Sequence, residues 1–87
     1  MSFKLYNQDC VLGMIKYIND NSINLIVTSP PYKEQDGFSW SLVNGVAEQC
    51  YRVLKNNSLY FVNFGHLADH KSRPFEVAMV FEDTGFI

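Results

Sequence analysis

The run Leu25-Ile26-Val27-Thr28-Ser29-Pro30-Pro31-Tyr32 places the tightest constraint on how this chain folds. Leu25 to Val27 is a continuous apolar stretch, the pattern of a strand buried on both faces, as in a parallel sheet. Two adjacent prolines then stop it. Each proline lacks an N–H, so the turn cannot be absorbed into sheet or helix hydrogen bonding. Each also holds the residue before it extended. A buried strand must therefore end in a stiff corner.

The flanking segments fit a sheet covered by helices. Phe3 to Asn7 has the length of a short strand. Val11, Leu12, Met14, Ile15 and Ile18 recur at helical spacing after Asp9, which is suited to cap that helix. Asn19 to Ser22 is a turn cluster, and Ile23 to Val27 is the strand. Ser29 to Ser39 is a polar loop. Trp40, Val43, Ala47, Cys50 and Leu54 then return to the helical period, with Lys55-Asn56-Asn57 as the helix end. Ser58 to Phe64 is rich in aromatic and branched residues, as strands are. After a second polar loop, Gly65 to Arg73, Pro74 opens a helix whose spacing puts Phe75, Ala78, Met79 and Glu82 on one face. Thr84-Gly85 ends it, and Phe86-Ile87 starts what reads as another strand. Strands alternating with helices predict an α/β fold with a mainly parallel sheet. A parallel edge that finishes mid-strand predicts a partial domain, truncated at its C-terminal end.

Composition narrows the function. With 47% hydrophobic and 18% charged residues, the chain is a folded domain rather than a tail. The net charge of −2 gives no overall basic footprint, so contact with nucleic acid would need a local patch. Cys10 and Cys50 fit no metal-ligand or redox spacing and read as buried free thiols. His66 and His70 have helical zinc spacing but sit in a loop without a third ligand, so no metal is expected. No segment is long and apolar enough for a membrane span, and Met1-Ser2-Phe3-Lys4 does not open a signal peptide. The expected location is cytoplasmic.

In open α/β sheets ligands bind beyond the carboxyl ends of the strands, where this corner lies. Its locked φ angles hold carbonyl oxygens in place. The Pro30 carbonyl and the Ser29 hydroxyl are two acceptors suited to an exocyclic NH₂, and Tyr32 offers a flat ring for stacking. Two plainer readings stand beside this one. The prolines punctuate a loop, or they form a polyproline segment read by a partner module.

Asp9-Cys10 with its following helix, Ser22 to Tyr32 (SINLIVTSPPY), and Cys50 to Gly65 (CYRVLKNNSLYFVNFG) together resemble the DNA amino-methyltransferases. These enzymes use S-adenosylmethionine to methylate cytosine N4 or adenine N6. The resemblance implies a partial Rossmann-like methyltransferase fold. It implies Ser29, Pro30, Pro31 and Tyr32 as the catalytic tetrapeptide, with Tyr32 on a base flipped out of double-stranded DNA. It implies Asp9 and its neighbour Cys10 at the cofactor. The serine form of the tetrapeptide is commoner in cytosine-N4 enzymes. Attack is direct, without a covalent enzyme intermediate, and neither cysteine stands in the Pro-Cys context of the cytosine-C5 branch.

One departure is large. The family's glycine-rich cofactor turn is absent, because the five glycines (Gly13, Gly37, Gly45, Gly65 and Gly85) are scattered. In the permuted members the catalytic motif comes first, which would put that turn and the target-recognition region after Ile87. The resemblance therefore implies a bacterial or phage restriction-modification type of protein, with the remainder of the fold after Ile87 or on a second chain. Lys33, Lys71 and Arg73 are the candidate phosphate contacts, with His66 and His70 beside them. Related Pro-Pro-Tyr turns act on RNA bases or protein amides, which is the other enzyme reading. A non-catalytic half of a split or decayed enzyme is the third.

Overall fold

The computed structural model describes residues 3–65 and 68–86. In chain order these form α1 (Cys10–Tyr17), β1 (Ile23–Thr28), a short 3-10 turn (Glu34–Asp36), α2 (Trp40–Val53), β2 (Leu54–Val62) and α3 (Arg73–Thr84). β1 and β2 pair in parallel, joined through α2, so the α/β class with a parallel sheet is present.

Local chemistry explains most of the boundaries. Asp9 caps α1, its carboxylate accepting the Leu12 N–H at 3.0 Å, as expected of it. Ser39 does the same for α2 at Leu42. In α2 the buried residues Val43, Ala47, Cys50 and Val53 follow one helical stripe. Gly45 lets α1 approach closely, since a Cβ there would lie 3.3 Å from Val11 Cγ2. Arg52 ties the other end of α1 down. Its guanidinium donates to the Met14 and Ile18 carbonyls, each at 2.9 Å, and to Asp20 at 2.6 Å.

The core joins Phe38, Val43, Ala47, Val77 and Phe81, with Tyr60, Phe64 and Phe86 packed against it. Tyr60 stacks on Phe81 with ring centroids 5.0 Å apart, so α2 and α3 cover the Tyr60 face of the sheet. The other face is bare. Strand alternation and the pairings Leu25↔Leu59 and Val27↔Phe61 put these four residues on it. They are 53%, 61%, 71% and 54% exposed for Leu25, Leu59, Val27 and Phe61. The expectation of a strand buried on both faces therefore fails: one layer of helices covers one face only.

Other expectations also change. Phe3 to Asn7 forms no strand, because among the described residues no strand offers it a backbone partner, and Phe3 and Leu5 are almost fully exposed. α2 ends at Val53, before Lys55-Asn56-Asn57, because Leu54 already pairs with Ile23. Asn57 does adopt a left-handed φ of 65°, but inside an irregular stretch of β2. In α3 the buried face is Arg73, Val77 and Phe81, while Phe75 and Met79 are exposed. Trp40 is 39% exposed, and Phe38 takes the core position instead. Phe86 packs on Tyr51, Tyr60 and Phe81 without strand pairing, and Ile87 lies outside the described residues.

Both cysteines are free, but only Cys50 is buried; Cys10, at the start of α1, is exposed. Burial pushes the Cys50 thiol up to about 11. Since the thiolate is the reactive form, alkylation at mildly alkaline pH is expected to label Cys10 and spare Cys50 until denaturant is added. Mass spectrometry of the labelled peptides checks this, and equal labelling of both in the native chain would contradict the packing of α2.

Candidate functional site

The corner sits where β1 ends. The Asn63 N–H donates to the Thr28 carbonyl at 2.9 Å, which aligns the last residue of β1 with the first residue beyond β2. Two parallel strands thus deliver two segments to one edge of the sheet, the loop beginning at Ser29 after β1 and the one beginning at Asn63 after β2. Ser29 is exposed, and Pro30, Pro31 and Tyr32 are half-buried. Among the described residues, neither the Ser29 hydroxyl nor the Pro30 carbonyl is hydrogen-bonded within the chain.

Tyr32 is pinned to the second loop. Its hydroxyl donates to the Asn63 carbonyl at 2.9 Å, and its ring lies 4.6 Å from that of Phe64. Gly65 leaves the necessary space, because a Cβ there would come within 2.8 Å of Tyr32 Cε2. Phe64 in turn meets Phe38 edge-on, and Phe38 meets Trp40 edge-on at 5.1 Å. This aromatic row runs from the corner into the core.

The loop beyond Tyr32 closes on itself. Lys33 C=O accepts from Asp36 N–H and Phe38 N–H, both at 3.0 Å, and Gly37 supplies the left-handed residue that ends the 3-10 turn, with φ 105°. Arg73, the first residue of α3, then crosses to this loop. Nη1 donates to the Tyr32 carbonyl at 3.0 Å and to Glu34 Oε1 at 2.9 Å, and Nη2 donates to Glu34 Oε2 at 2.7 Å. The guanidinium also lies over the Phe38 ring, 4.2 Å from its centroid. The hydrogen bonds from Arg73 hold the Glu34 carboxyl down to about 2, well below the usual range, and the pair is ionised at neutral pH.

This corrects one candidate. Arg73 does not face solvent as a phosphate contact: its side chain is 7% exposed and its two terminal nitrogens donate to Glu34 and Tyr32. Lys33 and Lys71 are exposed, and His70 lies 3.9 Å from Glu34. His66 lies outside the described residues. Asp9 and Cys10 stand apart from the corner in the hydrogen-bond pattern: the Asp9 carboxylate serves the helix cap, and Cys10 is exposed at the first turn. Asn63, Phe64, Glu34 and the inward role of Arg73 were not legible from sequence. Their partners lie 31 to 41 residues away along the chain, and no local pattern encodes such pairings.

No family profile matches the chain. No solved structure matches it either. Among curated proteins it is similar to the Type II methyltransferase M.BglII of Bacillus subtilis, at 36% identity over 72 residues. The match takes in 71% of this chain but 19% of the relative, so the chain spans about a fifth of the length of the curated relative it matches. The similarity is a relationship to part of a methyltransferase. Among the described residues, no helix is long and apolar enough to cross a membrane.

Proposed function

We propose that this chain is the catalytic-motif part of an S-adenosylmethionine-dependent DNA amino-methyltransferase. Its target is the exocyclic amino group of a base flipped out of double-stranded DNA, cytosine N4 ahead of adenine N6. The observation that carries this reading is the pair of acceptors without a hydrogen-bond partner among the described residues, the exposed Ser29 hydroxyl and the carbonyl of half-buried Pro30, at the carboxyl edge of a parallel sheet, with Tyr32 anchored beside them.

The chain's own residues do the following in this reading. The Pro30 carbonyl and Ser29 hydroxyl each accept one N–H of the amino group. Two fixed acceptors hold the nitrogen in one orientation and draw its lone pair out of conjugation with the ring, which makes it a better nucleophile. Phe64 and Gly65 pack on Tyr32, and the part of the ring they leave uncovered stacks on the base. The exposed Lys33 and Lys71 serve DNA phosphates near the corner.

The residues present do not by themselves make up a cofactor site, because no glycine-rich turn exists in the sequence; Asp9 caps α1 through Oδ2, a role compatible with contact to the cofactor. The bare face formed by Leu25, Val27, Leu59 and Phe61 supports the same division of labour. Parallel sheets are covered on both faces, and we place the rest of the methyltransferase fold, with its cofactor turn, against this one. The isolated chain then binds a base without turning over.

Two measurements test the proposal. In an isotope-labelled sample of the chain, 2′-deoxycytidine is expected to shift the NMR signals of Ser29, Pro30 and Tyr32, and thymidine, which lacks an amino group, is not. In a chimera of M.BglII carrying this sequence in place of its aligned segment, Ser29→Ala or Tyr32→Ala is expected to cut labelled methyl transfer to DNA by about 100-fold or more, with the circular dichroism unchanged. Undiminished transfer in both variants would remove the assignment.

A further inference from the structure

We infer that Arg73 is the positioning residue of the Ser29–Tyr32 corner, gripping the Tyr32 carbonyl and the Glu34 carboxylate together so that the Pro30 carbonyl and Ser29 hydroxyl stay aimed at an amino group. The inference rests on the amine-binding role proposed for that corner, and adds the residue that keeps it in shape.

Three observations carry it. The first is where Arg73 stands. It opens α3, where the helix dipole opposes a cation. Its side chain is 7% exposed, which a charge tolerates only when it is paired and hydrogen-bonded, as Arg73 is by Glu34. The needs of the helix do not account for an arginine there. What it grips does.

The second is the shape of the grip. Both oxygens of Glu34 and the Tyr32 carbonyl are met by one planar fork, and Phe38 supports its flat face at 4.2 Å. A lysine would keep the charge but not the fork or the stacking.

The third is transmission. Tyr32 is held at three points: its hydroxyl on Asn63, its ring on Phe64 and its carbonyl on Arg73. The two residues before it are prolines with locked φ angles. Little freedom therefore separates the anchored Tyr32 carbonyl from the Pro30 carbonyl, and displacing the first turns the second. Arg73 also joins the loop after β1 to the helix after β2, so the corner's geometry depends on both strands' exits.

The test uses Arg73→Lys together with Glu34→Gln. Glu34 is 62% exposed, so its substitution leaves no buried void and the fold is kept. The first readout is structural: nuclear Overhauser contacts between the Tyr32 ring and the Gly65 Hα in the chain itself. Both variants are expected to weaken these contacts and to move the Pro30 carbonyl carbon resonance. The second readout is binding: the preference for 2′-deoxycytidine over thymidine is expected to fall about tenfold or more, since small displacements of reacting groups carry penalties of this size and larger. In the M.BglII chimera the loss is expected in kcat, with KM for DNA little changed.

The two proposals fail separately. If the variants loosen the Tyr32 contacts while even the unaltered chain shows no preference for 2′-deoxycytidine, the amine-binding reading of the corner falls and the grip on its shape stands. If the unaltered chain prefers 2′-deoxycytidine and both variants, folded, keep the contacts, the preference and kcat, Arg73 is a structural ion pair only and the inference is overturned.

Discussion

Phe81→Ala is expected to leave the chain largely unfolded at physiological temperature. Phe81 is 8% exposed and touches three parts of the molecule at once, stacking on Tyr60 of β2, meeting Phe86 at 5.6 Å and joining Val43 and Ala47 of α2 in the core. Removing such a ring costs about 3–5 kcal/mol, from lost transfer energy and the cavity left behind. A domain of 87 residues has a total stability of roughly 4–13 kcal/mol. One sheet face is bare, so few other contacts compensate. Urea unfolding followed by circular dichroism measures the loss. A midpoint close to that of the unaltered chain would mean that α3 is not the element that closes the core.

Gly65→Val should act on the site more than on the fold. The glycine faces Tyr32, and even the first carbon of a side chain would sit 2.8 Å from Cε2 and 3.2 Å from Cδ2 of the ring. The ring cannot yield in place, being bonded through its hydroxyl to Asn63 and packed on Phe64. Valine therefore drives it off that seat and breaks the hydroxyl bond. Overpacking of this kind costs about 1–3 kcal/mol, which a half-buried loop can partly relieve. The discrimination between 2′-deoxycytidine and thymidine is expected to vanish, and transfer by the M.BglII chimera to drop about 100-fold, the scale of misplaced reacting groups. A Gly65→Val chain that binds and discriminates as before would show that Tyr32 does not need its seat on Phe64.

These two substitutions mark the difference between the parts of the molecule that local chemistry reveals and those it does not. Asp9 as a cap, the α2 stripe of Val43, Ala47 and Cys50, the strand before Ser29 and the proline in the first turn of α3 are all readable from short-range pattern. Each depends on residues within one or two turns of each other, so neighbours in sequence carry the information. The proline corner is readable for the same reason: a locked φ and a missing N–H belong to the residue itself.

The face that α3 buries was not readable. Phe75 with Met79, and Val77 with Phe81, are both apolar pairs at i,i+4, so periodicity alone does not choose between them. The aromatic surface of Tyr60 and Phe86 chooses Val77 and Phe81. The same holds for Phe38 over Trp40, and for the start of β2, which pairing with Ile23 moves ahead of Lys55-Asn56-Asn57. A strand at Phe3 to Asn7 fails because a strand is a relation between two segments, and the second is missing among the described residues.

The amino-acid order thus specifies an α/β alternation and a rigid Ser29-Pro30-Pro31-Tyr32 turn, because backbone preference and capping act over a few residues. Folding in three dimensions settles whom that turn touches: Asn63 and Phe64 under Tyr32, and a buried Arg73 that grips Glu34 instead of facing solvent. Hydrogen bonds and ring contacts between segments 31 to 41 residues apart exist only once two parallel strands bring their exits to one edge.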